Sequence, residues 1–92
     1  MKFTIKISDQ AEKDIRKLEK WGDKGSLRKV LAIINELEDH PTVGTGKPER
    51  LKNFNEVTYS RRISAKHRLV YEIHELQVVV ILISAYGHYT DH

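Results

Sequence analysis

The run QVVVILISAY at residues 77–86 is apolar at nearly every position, and no other feature constrains the fold as much. A strand with one wet face alternates polar and apolar residues. One that is apolar throughout has both faces covered and belongs in the middle of a sheet. At ten residues the run is far too short to cross a membrane as a helix. The remaining chain must therefore supply partner strands and elements to lie over them.

The N-terminal half provides that cover. Phe3, Ile5 and Ile7 alternate with Lys2, Thr4 and Lys6, which predicts a half-buried strand. Ser8 and Asp9 offer N-cap oxygens, and Ala11, Ile15 and Leu18 recur at helical spacing to about Lys20. Gly22 and Gly25 break this first helix, and Trp21 is expected to pack between helices. A second helix is predicted over residues 26–39, with Leu27, Val30, Leu31, Ile34 and Leu37 as its apolar stripe and Pro41 as its end. The segment HPTVGTGKPER, with two glycines and two prolines, must be a loop. Strand-like runs follow near residues 50–53, 57–63, 68–74 and 77–86. The chain has no internal repeat and no linker that would divide it. The expectation is one α+β domain over residues 1–92: a first strand, two helices, and a mostly antiparallel, twisted sheet of four to five strands in the order β-α-α-β-β-β.

Composition excludes several classes. The 92 residues suffice for one core, and the 39% hydrophobic and 32% charged content is that of a folded chain. No cysteine is present, so neither a disulfide scaffold nor a Cys-based zinc site is available. The N-terminus MKFTIKIS lacks the apolar run of a signal peptide, and a cytoplasmic protein without membrane contact is expected.

Charge is distributed unevenly. Residues 44–68 hold seven cations (Lys47, Arg50, Lys52, Arg61, Arg62, Lys66, Arg68) and two anions (Glu49, Glu56), a local balance of +5 in a chain of net charge +3. The rest of the chain is therefore slightly acidic. Such segregation suits a polyanionic partner, although a merely solvated basic face has the same signature.

Strand alternation sharpens this. In VTYSRRI, Val57, Tyr59 and Ile63 share one face, while Thr58, Ser60 and Arg62 take the other. In HRLVYEI, Leu69, Tyr71 and Ile73 suit the helix-packed face, which leaves Arg68, Val70 and Glu72 opposite. Residues 64–67 are short enough for a hairpin, so Arg62 and Arg68 should sit together near its tip on an open face. Two guanidiniums so placed need an anion. A phosphate suits them because each can donate two parallel hydrogen bonds to it. Neutralisation by Glu49 or Glu72 is the alternative.

The run GTGKPERLKN, then YSRRIS, then HRLVY and a terminal HY together resemble the YoeB/Txe group of bacterial toxin-antitoxin toxins, within the RelE superfamily of ribosome-dependent messenger RNA endonucleases. The resemblance extends over about residues 44–89. It departs from the family pattern at Ala85, Tyr86 and Gly87, where relatives commonly carry a basic and an aromatic residue before His-Tyr.

The resemblance implies that the RNA 2′-hydroxyl attacks the adjacent phosphate with no metal or cofactor. Glu49 matches the general base, Arg62 and Arg68 the arginines that hold the phosphate, His88 the general acid and Tyr89 an aromatic residue that positions the nucleotide. Lys52 matches a cation beside the scissile phosphate, and Lys47, Arg61 and Lys66 join it as RNA-facing cations. A structural Glu49, tethering the Gly-rich loop to Arg62 or Arg68, is the other reading. The implied partners are messenger RNA on the bacterial ribosome and a cognate antitoxin, in a toxin-antitoxin hetero-oligomer or beside a homodimer. A non-catalytic module on the same fold, such as a ParE-like gyrase inhibitor or an RNA binder, is the alternative function. His40, His67, His74 and His92 are expected to be surface or turn residues, and the cationic face of Lys13, Arg16, Lys17 and Lys20 a solvated one.

Overall fold

A computed structural model describes residues 2–77 and 79–85, with β5 described by its backbone alone. The order is β1 (Thr4–Ile7), α1 (Asp9–Lys20), α2 (Lys24–Leu37), β2 (Glu49–Leu51), β3 (Thr58–Arg62), β4 (Arg68–His74) and β5 (Val79–Ser84). They form a five-stranded sheet in the order β1-β5-β4-β3-β2. The apolar run is thus an interior strand: β5 pairs with β1 in parallel and with β4 antiparallel. The β4–β3 and β3–β2 pairs are antiparallel too, so the expected fold class holds.

The helices begin where side chains satisfy their free N–H groups. Ser8 Oγ accepts from the Ala11 N–H at 3.1 Å and starts α1. Its end is a left-handed turn: Gly22, at φ +72°, donates its N–H to the Glu19 carbonyl, and the Asp23 N–H reaches back to Leu18 O at 3.0 Å. Asp23 then caps α2, accepting from the Ser26 N–H at 3.1 Å. One residue therefore closes one helix and opens the next. For this reason α2 starts at Lys24 rather than at residue 26, and Gly25 lies inside its first turn instead of breaking the chain.

Both helices cover one face of the sheet. Ala11, Leu18, Val30, Ile33 and Leu37 meet Ile63, Leu69, Tyr71, Ile73 and Ala85 in one core. The α2 stripe is displaced from the expected one. Ile33 is buried, whereas Leu31 is 59% exposed. Successive helical residues turn by about 100°, which puts Leu31 well round from Val30 on the side away from Ile33. Trp21 is also not packed between the helices; at the C-cap of α1, beyond the inward-facing Leu18, it is 64% exposed.

Asp14, on the inner face of α1, is 3% exposed. Its carboxylate accepts from Gln10 Nε2 at 2.8 Å and from the Ala85 N–H at 3.1 Å, fixing the chain where it leaves β5. A buried carboxylate requires such donors. Among the described residues no helix is long and apolar enough to cross a membrane.

Candidate functional site

The basic hairpin divides into an inward and an outward part, beginning with two adjacent arginines. Arg61 follows the parity of Tyr59 and points at the core, where it is fully buried. Its five N–H groups meet five acceptors. Nε donates to the Tyr71 hydroxyl at 3.0 Å; Nη1 to Glu36 Oε1 at 2.8 Å and Thr45 O at 3.3 Å; Nη2 to His40 O at 2.6 Å and Val43 O at 2.9 Å. Arg61 was expected among the RNA-facing cations; its burial assigns it instead to holding the loop between α2 and β2.

That loop is closed by the same network. The Tyr71 hydroxyl donates to Pro41 O at 2.6 Å, and Glu36 accepts from both the backbone N–H and the hydroxyl of Thr45. The Thr45 hydroxyl, together with its N–H and Arg61, holds the Glu36 carboxyl below its ordinary pKa, against the opposing effect of burial. Burial pushes the Tyr71 hydroxyl up, so it stays a donor. The glycines of GTG are required by backbone conformation and, at Gly46, by close approach to the backbone of β3. A Cβ at Gly44 would lie 2.2 Å from Glu36 Oε1, and one at Gly46 would lie 2.7 Å from the Arg62 carbonyl; both have positive φ.

The Arg62 N–H donates to Gly46 O at 2.7 Å, which brings the loop's end onto β3. Three residues later Glu49 opens β2 and pairs with Ser60. Arg62 pairs with Arg68 across β3 and β4, and directly opposed residues project to the same side. Glu49, Ser60, Arg62 and Arg68 therefore share one face. Arg68 Nη1 donates to Ser60 Oγ at 3.3 Å and lies 4.0 Å from Glu49 Oε1. The Glu49 side chain is 66% exposed, so this is a long, solvent-screened pair. This weak pair is the contact expected of a structural Glu49, while Arg61 holds the loop through three of its carbonyls. Glu72 pairs with His74 at 3.0 Å rather than with either arginine.

The face was expected to be open along its length. It is open only toward the hairpin: Thr58, Ser60 and Val70 are buried, Arg68 is half-buried and Arg62 is exposed. The predicted hairpin is present, closed by Ile63 and Ser64 N–H groups donating to His67 O, with Ser64 Oγ accepting from Lys66 and His67 N–H groups. At this end Lys29, Arg62, Ser64, Ala65 and Arg68 line a cavity of about 480 Å³. Lys47, Lys52 and Lys66 are exposed. His88, Tyr89 and His92 lie outside the described residues. Among the other histidines His74 departs from expectation, because it is a half-buried β4 residue set between Glu72 and Glu56.

Lys29 was not legible as a site residue. It lies on a helix whose other face packs the core, and only the docking of α2 beside the hairpin brings it to the arginines.

Residues 8–89 match the model of the YoeB-like toxin of bacterial type II toxin-antitoxin systems. The Toxin YoeB of Synechocystis is 39% identical over 59 residues, covering 64% of this chain and 69% of that protein. The YoeB dimer from Staphylococcus aureus superposes with a TM-score of 0.79 at 32% identity, over 97% of this chain and all of the other. A heterotetrameric YoeB-YefM toxin-antitoxin complex from the same organism gives 0.75 at 32% identity, again over 97% of this chain and all of the other. A match across nearly the whole chain, with the Gly-rich loop, both arginine strands and the glutamate inside it, decides the assignment: the chain belongs to the YoeB-like toxin family of bacterial type II toxin-antitoxin systems.

Proposed function

We propose that this toxin is an endoribonuclease that cuts messenger RNA in the ribosomal A site and so arrests translation until an antitoxin covers it. The observation that carries the reading is the shared face of Glu49, Arg62 and Arg68, where two opposed guanidiniums meet one carboxylate 4.0 Å from Arg68. Among the described residues no ion pair engages Arg62. An RNA phosphate would complete that arrangement.

The chemistry assigns each group a task. Glu49 takes the proton from the 2′-hydroxyl as its oxygen bonds to phosphorus. Arg62 and Arg68 stabilise the charge that grows on the non-bridging oxygens, a task for donors already held in place. His88 supplies the proton to the departing 5′-oxygen as the P–O5′ bond breaks, which suits a group whose ordinary pKa is near about 6.5. The products are a 2′,3′-cyclic phosphate and a 5′-hydroxyl. Side chains fill every role, so the reaction calls for no cofactor. Lys52 and Tyr89 position the RNA, and Lys47 and Lys66 add attraction to its backbone.

An antitoxin is the expected protein partner, in keeping with the Staphylococcus aureus relative that is found with YefM. An acidic segment that orders on binding would suit the basic face. The test is primer extension on a reporter messenger in a purified bacterial translation system. Wild type should give discrete cuts within codons, and Glu49→Gln and His88→Ala should give none. An intact messenger in the presence of folded, growth-arresting protein would sink the endonuclease reading in favour of a non-catalytic one.

A further inference from the structure

We propose that Lys29 of α2 is a phosphate-binding residue of this site, gripping an RNA phosphate next to the one held by Arg62 and Arg68. The inference rests on the ribonuclease reading and extends it to a helix that the reading does not use.

Among the described residues, three of the five that line the hairpin cavity are cations, and they come from three separate elements: Lys29 from α2, Arg62 from β3 and Arg68 from β4. Their mutual repulsion favours an anion between them. The protein provides little of one. Among the described residues neither Lys29 nor Arg62 forms an ion pair, and Glu49 touches only Arg68, at the long limit of 4.0 Å. The cavity, at about 480 Å³, falls in the size range of small-molecule sites and exceeds what one phosphate requires.

The two kinds of cation divide the work. Planar guanidiniums impose a bidentate geometry, which suits the reacting phosphate, whose oxygens must be oriented. An ammonium on a flexible stem acts as a point charge and tolerates a phosphate of variable orientation. Lys29 is half-buried on α2 and lines the same cavity as Arg62, Ser64, Ala65 and Arg68 of the hairpin. Its stem is thus constrained by packing where it lines the cavity. Arg68, Arg62 and Lys29 would form a short track that leads the RNA backbone from the sheet face round to α2.

The phosphate has two possible sources, the messenger beside the cut and ribosomal RNA, and the experiment separates them. Lys29→Gln and Lys29→Arg are compared with wild type in binding a short RNA whose attacking 2′-hydroxyl is replaced by hydrogen, and in binding vacant ribosomes, each as a function of salt. One lost phosphate contact on a single strand should reduce the slope of log K against log salt by about 0.7 and weaken low-salt binding by roughly three- to tenfold. Lys29→Arg should restore both. Loss with the RNA alone places the messenger on Lys29. Loss with ribosomes alone assigns the contact to ribosomal RNA. Unchanged slopes and affinities in both assays overturn the proposal. Arg62→Ala in the same series keeps the two readings apart: if it abolishes cleavage while Lys29→Gln behaves as wild type, only the Lys29 inference fails, and if neither matters the ribonuclease site itself is misplaced.

Discussion

Arg61 and Arg62 are neighbours in sequence and opposites in environment. One is fully buried and uses every donor on the protein's own carbonyls, Glu36 and Tyr71. The other stands exposed on the opposite face, beside Arg68 and a cavity. A half-turn of pleat separates them. Cation density in a strand therefore says little about ligand binding until each residue is assigned to a face. A buried guanidinium tolerates no unsatisfied donor, whereas an exposed one has solvent and can exchange it for a phosphate.

The contrast can be broken most severely at Arg61. Arg61→Ala should destabilise the fold by about 3–5 kcal/mol, because it leaves the Glu36 carboxylate and three loop carbonyls without their shared donor. Arg62→Ala should stay within about 0.5 kcal/mol of wild type while RNA cleavage is lost. Urea unfolding of both variants, read beside the cleavage assay, checks the pair. Equal stabilities would show that the buried network is not what holds the loop.

A smaller change sharpens the comparison from the other end of the network. Tyr71→Phe removes the hydroxyl that accepts from Arg61 and donates to Pro41 O. The expected cost is about 1–3 kcal/mol, seen as a lower urea midpoint with an unchanged m-value.

The smallest effect is a pH dependence. The folded-state pKa of Glu36 is lowered, first by the Thr45 hydroxyl and then by the Thr45 N–H and Arg61. Its contribution to stability is therefore fully present above the ordinary carboxyl pKa and is lost as pH falls through the depressed folded value. Unfolding free energy should decline over that acidic window, and Glu36→Gln should flatten the decline. A decline unaltered in Glu36→Gln would assign it to other carboxylates.

What could be read from the sequence follows from local rules. The Ser8 cap, the glycine stop at Gly22, the hairpin at residues 64–67 and the opposition of Arg62 to Arg68 all depend on neighbours a few residues apart or on strict alternation. The same alternation already put Arg61 on the face of Tyr59 and Ile63, yet its charge suggested solvent. The acceptors that allow it inward lie on residues 36–45, in a segment with no local signature of a cage. Asp14 reads as one more charge on a polar helix, and its partner, the Ala85 N–H, is 71 residues away. Leu31 and Ile33 were interchanged because apolar periodicity locates a stripe only to within a residue, and the docking of α2 on the sheet makes the choice.

By itself, then, the sequence determined the α+β class, the order of elements, the interior place of the apolar strand and the shared face of the two outward arginines. Each of these is set by backbone propensity, capping or the period of side chains along one element. Only the tertiary structure decided that Arg61 holds a loop, that Glu49 stands near Arg68 across three strands, and that Lys29 joins the cavity. Those outcomes depend on where separate elements dock, and docking is set by the summed packing of many residues together with the requirement that every buried donor find an acceptor.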